Sequence, residues 1–530
     1  MTIVQDNARF DFIVVGKGTA GNVFAGRLAE NPNARILVVE AGVENAKDLE
    51  AIRVPSNAMD LRDSEYDWSF KATMVKRDDY ERIEKPNTGG KVLGGNLSLN
   101  SFTWAPGSKV TFDMWEDVIY HDDTNAYSPE LKKICQKGPI PIAHSKLIPE
   151  MQPFRGLLTK AWNSAGHPVT ENIFDGTMPS LTHSVNTIYK GRRSGSFLYV
   201  ADKPNVTILP QVHPRNLIID VADKTCRDVT VILSSGQELN LFAAREVIVS
   251  EGVFETPRLL MLRGIGPSAE LKKHGIPVIN DSPHVGQHLL DYPCVYFVLR
   301  LKNGFGMDDY VLQKGTPYKN QAIKTYQNNY SGSLGSGFLE MVGFLRIDKY
   351  LEKDPLFRQA KACKDNKDLF CPYGQPHFKL DFVCLFGRAF QWYYPTPSKG
   401  NYITVMVDLV RPVSEGDKVT LHSSDAPQQA NVNLNCFNND LDIIAICQGI
   451  RYAYGVLKNG EGFKHIIEDE YPWPMPLHDG GFVFFLARWH GLERRINALI
   501  ARKELADVIM VCTVRVSTEK SSEKSRWKSL

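Results

Sequence analysis

Gly16, Gly18 and Gly21 stand in the spacing G-x-G-x-x-G, Thr19 and Ala20 fill its second gap, and Glu40 follows nineteen residues after Gly21. Residues of these types at these distances can hold a dinucleotide. The first glycine permits a tight turn, the second lets a pyrophosphate approach the backbone, and the third lets a helix pack closely on a strand. The phosphates then meet free N–H groups at the positive end of that helix. An acid at the position of Glu40 can accept hydrogen bonds from a ribose. Three elements must position these groups, and the sequence supplies each. Phe12-Ile13-Val14-Val15 is a short apolar run suited to a strand buried on both faces, Gly21 to Arg27 opens a helix, and Ile36 to Val39 is a second apolar run ending at the acid. Glycine turns are common, so the motif alone is weak. With strand, helix and acid all in place, dinucleotide binding outweighs a structural turn.

The 530 residues leave room for a large two-domain enzyme, and 43% apolar with 23% charged residues is the balance of a soluble globular protein. A formal charge of +2 excludes a general attraction to nucleic acid or to an acidic membrane. No apolar run reaches the roughly 18 residues of a spanning helix. The opening MTIVQDNARF has neither the basic nor the apolar region of a secretory signal, so a cytoplasmic protein is expected. Nine cysteines without a C-x-x-C pair point to reduced thiols and to no metal site.

Further along, Gly89 to Asn100 is a second glycine-rich loop. Strand-like runs at Val206–Pro210, Leu217–Val221, Val229–Leu233 and Glu246–Ser250 read as the nucleotide unit resumed after an insertion. From about Pro293 the alternation of His377–Phe386 and Tyr402–Val410 predicts antiparallel strands, and Asn439-Asp440-Leu441 starts a helix running to about Val456. The polar residues from Val514 onward read as a frayed tail.

Four of these segments together resemble the glucose–methanol–choline (GMC) flavoprotein oxidoreductases, particularly fungal aryl-alcohol and glucose oxidase-like members. They are Asp11 to Gly42; Lys91-Val92-Leu93-Gly94-Gly95-Asn96-Leu97-Ser98-Leu99-Asn100; Ser250 to Pro267 with Val285 to Pro293 after it; and Val410-Arg411-Pro412-Val413-Ser414-Glu415-Gly416-Asp417-Lys418-Val419-Thr420-Leu421. The resemblance implies an α/β fold, with a Rossmann-like FAD-binding domain and a second, antiparallel-sheet (α+β) substrate domain. It divides the chain into FAD-domain parts 11–120 and 205–292, an insertion or lid at 121–204, a substrate domain at 293–476 and an atypical segment at 477–530. It also selects FAD over other dinucleotides. Gly16, Gly18, Thr19, Ala20 and Gly21 would then hold the pyrophosphate. Glu40 and Ala41 would meet the adenosine end, and Val212 would offer adenine its backbone. Gly95, Asn100, Ser101, Phe102 and Thr103 would lie along the flavin. Trp68 reads more readily as a packed tryptophan than as a flavin contact.

In that family a histidine near the C-terminus takes the alcohol proton while a hydride passes to the flavin, a geometry contributing about 10²–10⁴-fold to rate. This chain follows the pattern through Tyr471-Pro472-Trp473-Pro474-Met475-Pro476 and then departs. His490 is its only histidine beyond His478, and nothing around it matches, so no catalytic residue is assigned. A diverged tail and one replaced through an altered reading frame both remain open. Asp381, the cluster Glu468-Asp469-Glu470 and His422 are weaker acid–base candidates than ordinary solvated groups. Phe390, Trp392, Tyr393 and Tyr394 serve equally as an aromatic pocket or a core edge. The expected protein is an FAD-dependent oxidoreductase of a small-molecule alcohol in fungal secondary metabolism, with dioxygen or another acceptor as its second partner. A non-redox, cyclase-like flavoprotein and an inactive chain are the alternatives.

Overall fold

Ile13, Val14 and Val15 are fully buried in strand β1 (Arg9–Val15), and all four residues of β2 (Ile36–Val39) are buried too. Apolar side chains fill both faces because both faces are covered. Ile13, Val15, Leu37 and Val39 pack into one cluster, while Val14, Ile36 and Val38 pack on the other side against Ala25 and Ala29 around helix α1 (Thr19–Leu28). The structure is a computed structural model describing residues 4–43, 48–73, 84–105, 139–144, 152–170, 180–387, 396–425, 428–468 and 510–516.

Four later strands complete the sheet: β3 (Val206–Leu209), β4 (Val212–Ile219), β5 (Cys226–Leu233) and β6 (Glu238–Val249). Their order is β3-β2-β1-β6-β5-β4, with the first four parallel and β5 and β4 antiparallel. Val15, Val39, Leu209 and Val249 end their strands in register. The chain leaves β1 towards β2 on one side and reaches β6 on the other, so the order reverses at the carboxyl end of β1. Open α/β sheets bind their ligands at such a crevice.

The second sheet has seven strands. At its centre lie β7 (Leu289–Leu301), β8 (Leu339–Leu345), β9 (Phe378–Val383) and β10 (Asn401–Leu409), with the antiparallel order β7-β10-β9-β8. Leu181–His183 and Val169–Thr170 extend it beyond β8, and Met510–Val516 extends it beyond β7. The strand alternation separates two faces. Phe378 and Phe382 point to the back, where Phe382 meets Trp162 of helix α2 (Gln152–Ser164) at 6.1 Å between ring centroids. Helix α4 (Asp440–Asn459) covers the same face so closely that a Cβ on Gly449 would lie 2.7 Å from the Phe378 ring. Asn439 caps α4 by accepting the Leu441 N–H at 3.0 Å. Helix α3 (Gly252–Leu262) follows β6 and belongs to the first sheet.

The strand positions differ from the sequence reading in two places. The run expected at 217–221 is β4 at 212–219, and that expected at 246–250 is the last third of β6. The tail expected to fray from Val514 instead contributes Val514–Val516 to a strand, whose pairing with Leu289–Cys294 satisfies its backbone. No described helix is long and apolar enough to cross a membrane.

Candidate functional site

The glycine turn closes over the carboxyl end of β1. Gly16 has φ +94°, and a Cβ there would lie 2.7 Å from the Ser250 carbonyl oxygen. A Cβ on Gly21 would sit 1.9 Å from the Gly16 carbonyl oxygen, so the third glycine is where α1 presses on the turn. Gly18 is different, because a Cβ on it would meet nothing within 4 Å. It is the N-cap residue of α1, no side chain caps that helix, and Thr19 and Ala20 are exposed in its first turn. The open space above Gly18, bounded by uncapped N–H groups, has the shape and charge that a pyrophosphate requires.

The second glycine-rich loop backs onto the first. The Gly94 N–H donates to the Lys17 carbonyl at 3.0 Å, Thr19 Oγ1 donates to the Gly94 carbonyl at 3.3 Å, and a Cβ on Gly95 would reach within 2.7 Å of the Gly18 Cα. Gly95 thus packs against the first glycine turn. Glu40 is buried beside the same turn. Its two oxygens accept the Lys17 N–H at 2.9 Å and the Gly42 N–H at 2.7 Å. Burial raises its pKa despite those two donors. The Glu40 carbonyl accepts the Val212 N–H at 2.9 Å, which brings the two expected adenosine contacts together. Glu40 therefore orders the turn. Glu40→Ala removes two charge-assisted bonds of about 1.5–3 kcal/mol each. The expected result is weaker FAD retention, read as a lower 450 nm to 280 nm absorbance ratio after gel filtration.

The loop from Leu97 to Thr103 is held by a residue that the sequence did not single out. Arg193 is fully buried. Its Nε donates to the Ile52 carbonyl at 3.1 Å, and its two terminal nitrogens donate to the carbonyls of Leu97 (3.1 Å) and Asn100 (2.9 Å) and to Asn100 Oδ1 (2.9 Å). The guanidinium carbon lies 3.9 Å above the Phe102 ring. Burial without a carboxylate in this set lowers its pKa to about 9, so it stays charged at neutral pH. Phe102 has φ +71° and no exposed side-chain surface, so its ring serves Arg193. Thr103 pairs with Asn186, and its buried Oγ1 has no hydrogen-bond partner among the described residues.

The front face of the second sheet carries charge where its back face carries aromatic rings. Lys379 is bonded to Asp381 at 2.5 Å and to Asp408 on the neighbouring strand at 3.5 Å. The same face meets the loop after Thr103, since Val342 and Phe344 of β8 cluster with Val185 and Trp104. The two carboxylates hold Lys379 well above the ordinary lysine pKa, and burial raises Asp408 to about 6 against the pull of Lys379. Asp381, a candidate acid–base group from the sequence, is thus half of a buried ion pair. Lys379→Met leaves two buried carboxylates facing each other and is expected to cost about 3–5 kcal/mol in urea unfolding. Asp408→Asn in the same chain is expected to restore part of that loss.

Other candidates fall away from this centre. Trp68 stacks on Phe70 with centroids 5.8 Å apart and meets His213, the neighbour of Val212, at 5.7 Å. It is a packed residue between Phe70 and His213. His422 is exposed and bonded to Asn431. Glu468 pairs with Arg300 at 2.7 Å. Phe390, Trp392, Tyr393, Tyr394, Asp469, Glu470 and His490 lie outside the described residues. Asp368, Cys371 and His377 form a buried trio with Cys371 Sγ and Asp368 Oδ2 at 2.9 and 3.0 Å from His377 Nε2. The Ile347 N–H donates to His377 Nδ1, which places the imidazole proton on Nε2. That tautomer suits the Asp368 hydrogen bond and opposes metal ligation, whose usual outer partner is an acceptor rather than a donor.

A model of the GMC oxidoreductase family matches residues 10–294. Choline oxidase of Arthrobacter globiformis is 32% identical over 308 residues, which span 54% of this chain and 55% of that protein. Patulin synthase of Aspergillus clavatus is 26% identical over 88% of this chain and 79% of its own length. A crystal structure of formate oxidase from Aspergillus oryzae, from work on its FAD modification, is 56% identical, covers 96% of this chain and 88% of that one, and superposes with a TM-score of 0.87.

Proposed function

The chain belongs to the GMC oxidoreductase family, and from that premise we propose that it is an FAD-dependent oxidase of a very small substrate, with formate the first to test. The observation that carries this reading is the 56% identity to formate oxidase over 96% of the chain. When bound, FAD supplies the hydride-accepting chemistry and returns the electrons to dioxygen or another acceptor. The protein's own residues bind and orient. The first turn of α1 would hold the pyrophosphate, Glu40 the ribose, and the segment from Gly95 to Thr103, fixed by Arg193, the flavin.

The chemistry of the substrate also favours formate. An alcohol must lose its hydroxyl proton as the hydride leaves, so its oxidation needs a base. Formate is already deprotonated at neutral pH, and loss of a hydride converts it directly into carbon dioxide. Arg193, which has no carboxylate partner among the described residues, adds a positive potential beside the Gly95–Thr103 loop that suits an anionic substrate. A small primary alcohol is the second reading, favoured by the likeness to choline oxidase and patulin synthase.

Purified holoprotein mixed anaerobically with formate should lose its absorbance near 450 nm, and admission of air should restore it with one peroxide formed per flavin. Bleaching by primary alcohols but not by formate would transfer the assignment to the second reading. Flavin-loaded protein that neither substrate bleaches would overturn both.

A further inference from the structure

His284 and His288 flank the turn that leads into β7, in the spacing H-x-x-x-H. Both rings are exposed, and His284 Nδ1 lies 3.3 Å from His288 Nε2. As a hydrogen bond this is long, against a usual range of about 2.7–3.2 Å. It matches two imidazole nitrogens on one tetrahedral metal ion, which stand about 3.3–3.4 Å apart when each bond to the ion is about 2.0–2.1 Å. The pair lies outside the cysteines, whose spacing points to no metal site.

The backbone fixes this arrangement before any ion arrives. The Val285 N–H donates to the Ser282 carbonyl at 3.1 Å and the Gln287 N–H to the His284 carbonyl at 3.0 Å, closing two successive turns. The Val419 N–H donates to the Gly286 carbonyl at 2.7 Å, and Gln287 is bridged to Lys418. Gly286 is required at this crossing, since its φ is +74° and a Cβ would lie 2.4 Å from the Val419 carbonyl oxygen. His288 has φ +57°, a left-handed conformation uncommon outside glycine, and its ring comes back onto His284. Two ligands already held together have little ordering left to lose when they bind.

Both rings stand on the wall of a cavity of about 880 Å³. Cys363 lines the same cavity, yet among the described residues no third His, Cys, Asp or Glu joins the pair with ligand atoms within 4.8 Å of one another. The remaining coordination positions therefore belong to water, for which the cavity has room. We propose that His284 and His288 form a binding site for a divalent transition-metal ion of the zinc class, held by Nδ1 of the first and Nε2 of the second. Each ring is neutral and carries its proton on the other nitrogen. In His377 that other nitrogen accepts a backbone N–H, whereas the exposed rings of the pair can direct theirs to water. Imidazole suits zinc, copper and nickel, while Mg²⁺ and Ca²⁺ take oxygen ligands.

The test is calorimetric titration of tag-free holoprotein with Zn²⁺, beside its melting temperature with and without the ion. Wild type should bind Zn²⁺ and melt higher in its presence, and Mg²⁺ should do neither. His284→Ala and His288→Asn should each bind Zn²⁺ about a hundredfold more weakly, the low end of the about 10²–10⁴ gained by joining two ligands. Asparagine tolerates the left-handed backbone of position 288, so His288→Asn keeps the turn. Cys363→Ser, on the same cavity wall, should bind Zn²⁺ as wild type does. Wild-type affinity in either histidine variant would overturn the proposal, as would loss of binding in Cys363→Ser or a wild type that binds no Zn²⁺. Uptake of Zn²⁺ is measured without substrate and is therefore independent of the choice between formate and an alcohol.

Discussion

Arg193→Ala is expected to give a protein that folds but loses most of its flavin during purification and unfolds earlier in urea. The carbonyls of Ile52, Leu97 and Asn100 each lose their guanidinium donor inside the protein. An unsatisfied buried acceptor costs about 1–3 kcal/mol, so three of them cost at least about 3 kcal/mol. That is a large part of a typical stability of about 5–15 kcal/mol. The loop that Arg193 fixes runs from Leu97 to Phe102, so flavin binding should fail before folding does. Arg193→Lys is not a conservative change here, because an ammonium cannot reproduce a planar fork aimed at three carbonyls. It should fall between wild type and the alanine variant in both flavin content and urea midpoint. Full flavin occupancy in Arg193→Ala would show that the loop holds its shape without the guanidinium.

The glycines of the first turn should separate two effects that a motif treats as one. Gly21→Ala would place a methyl 1.9 Å from the Gly16 carbonyl oxygen, within the protein's own backbone. It should push α1 away from β1 and lower both stability and FAD content. Gly18→Ala would meet no protein atom within 4 Å, and the α-helical start needs no positive φ at this N-cap residue. Its apoprotein should melt within about 1 °C of wild type, since surface changes of this kind usually lie within about 0.5 kcal/mol. Its methyl would nonetheless occupy the space that a pyrophosphate must enter, and FAD affinity should drop by at least about a hundredfold. Parallel melting and flavin titration of the two variants would check this. Unchanged affinity in Gly18→Ala would place the phosphates elsewhere.

What could be read from the sequence was local. The turn from Val15 to Gly21, the strand before it and the acid after it lie within thirty residues, and their spacing has few other uses. Antiparallel strands at 378–383 and 401–409 were legible because alternation with period two survives without knowledge of the partner. The missed features are those made by distant pairing. Arg193 contacts Ile52 and Leu97 across 141 and 96 residues, and nothing distinguishes it in sequence from its less buried neighbour Arg192. Lys379, Asp381 and Asp408 occupy alternate positions that read as a water-facing side, yet all three are largely buried. The start of β4 was obscured by Pro214, which is tolerated because β4 is an edge strand with its register shifted at that residue. The strand at 510–516 pairs with residues more than two hundred positions earlier, so its polar continuation gave no warning of it.

The strand order of the first sheet has a consequence for biosynthesis. β1 finds β2 almost at once, but its other neighbour ends at Val249. At about 5–20 residues per second, a ribosome needs on the order of 10–50 s to travel from Val15 to that point. Throughout that interval the nascent β1 has one flank without its partner strand, an edge open to intermolecular pairing. Chaperone occupancy on translating ribosomes should therefore be greatest in this window and decline once β6 has cleared the exit tunnel.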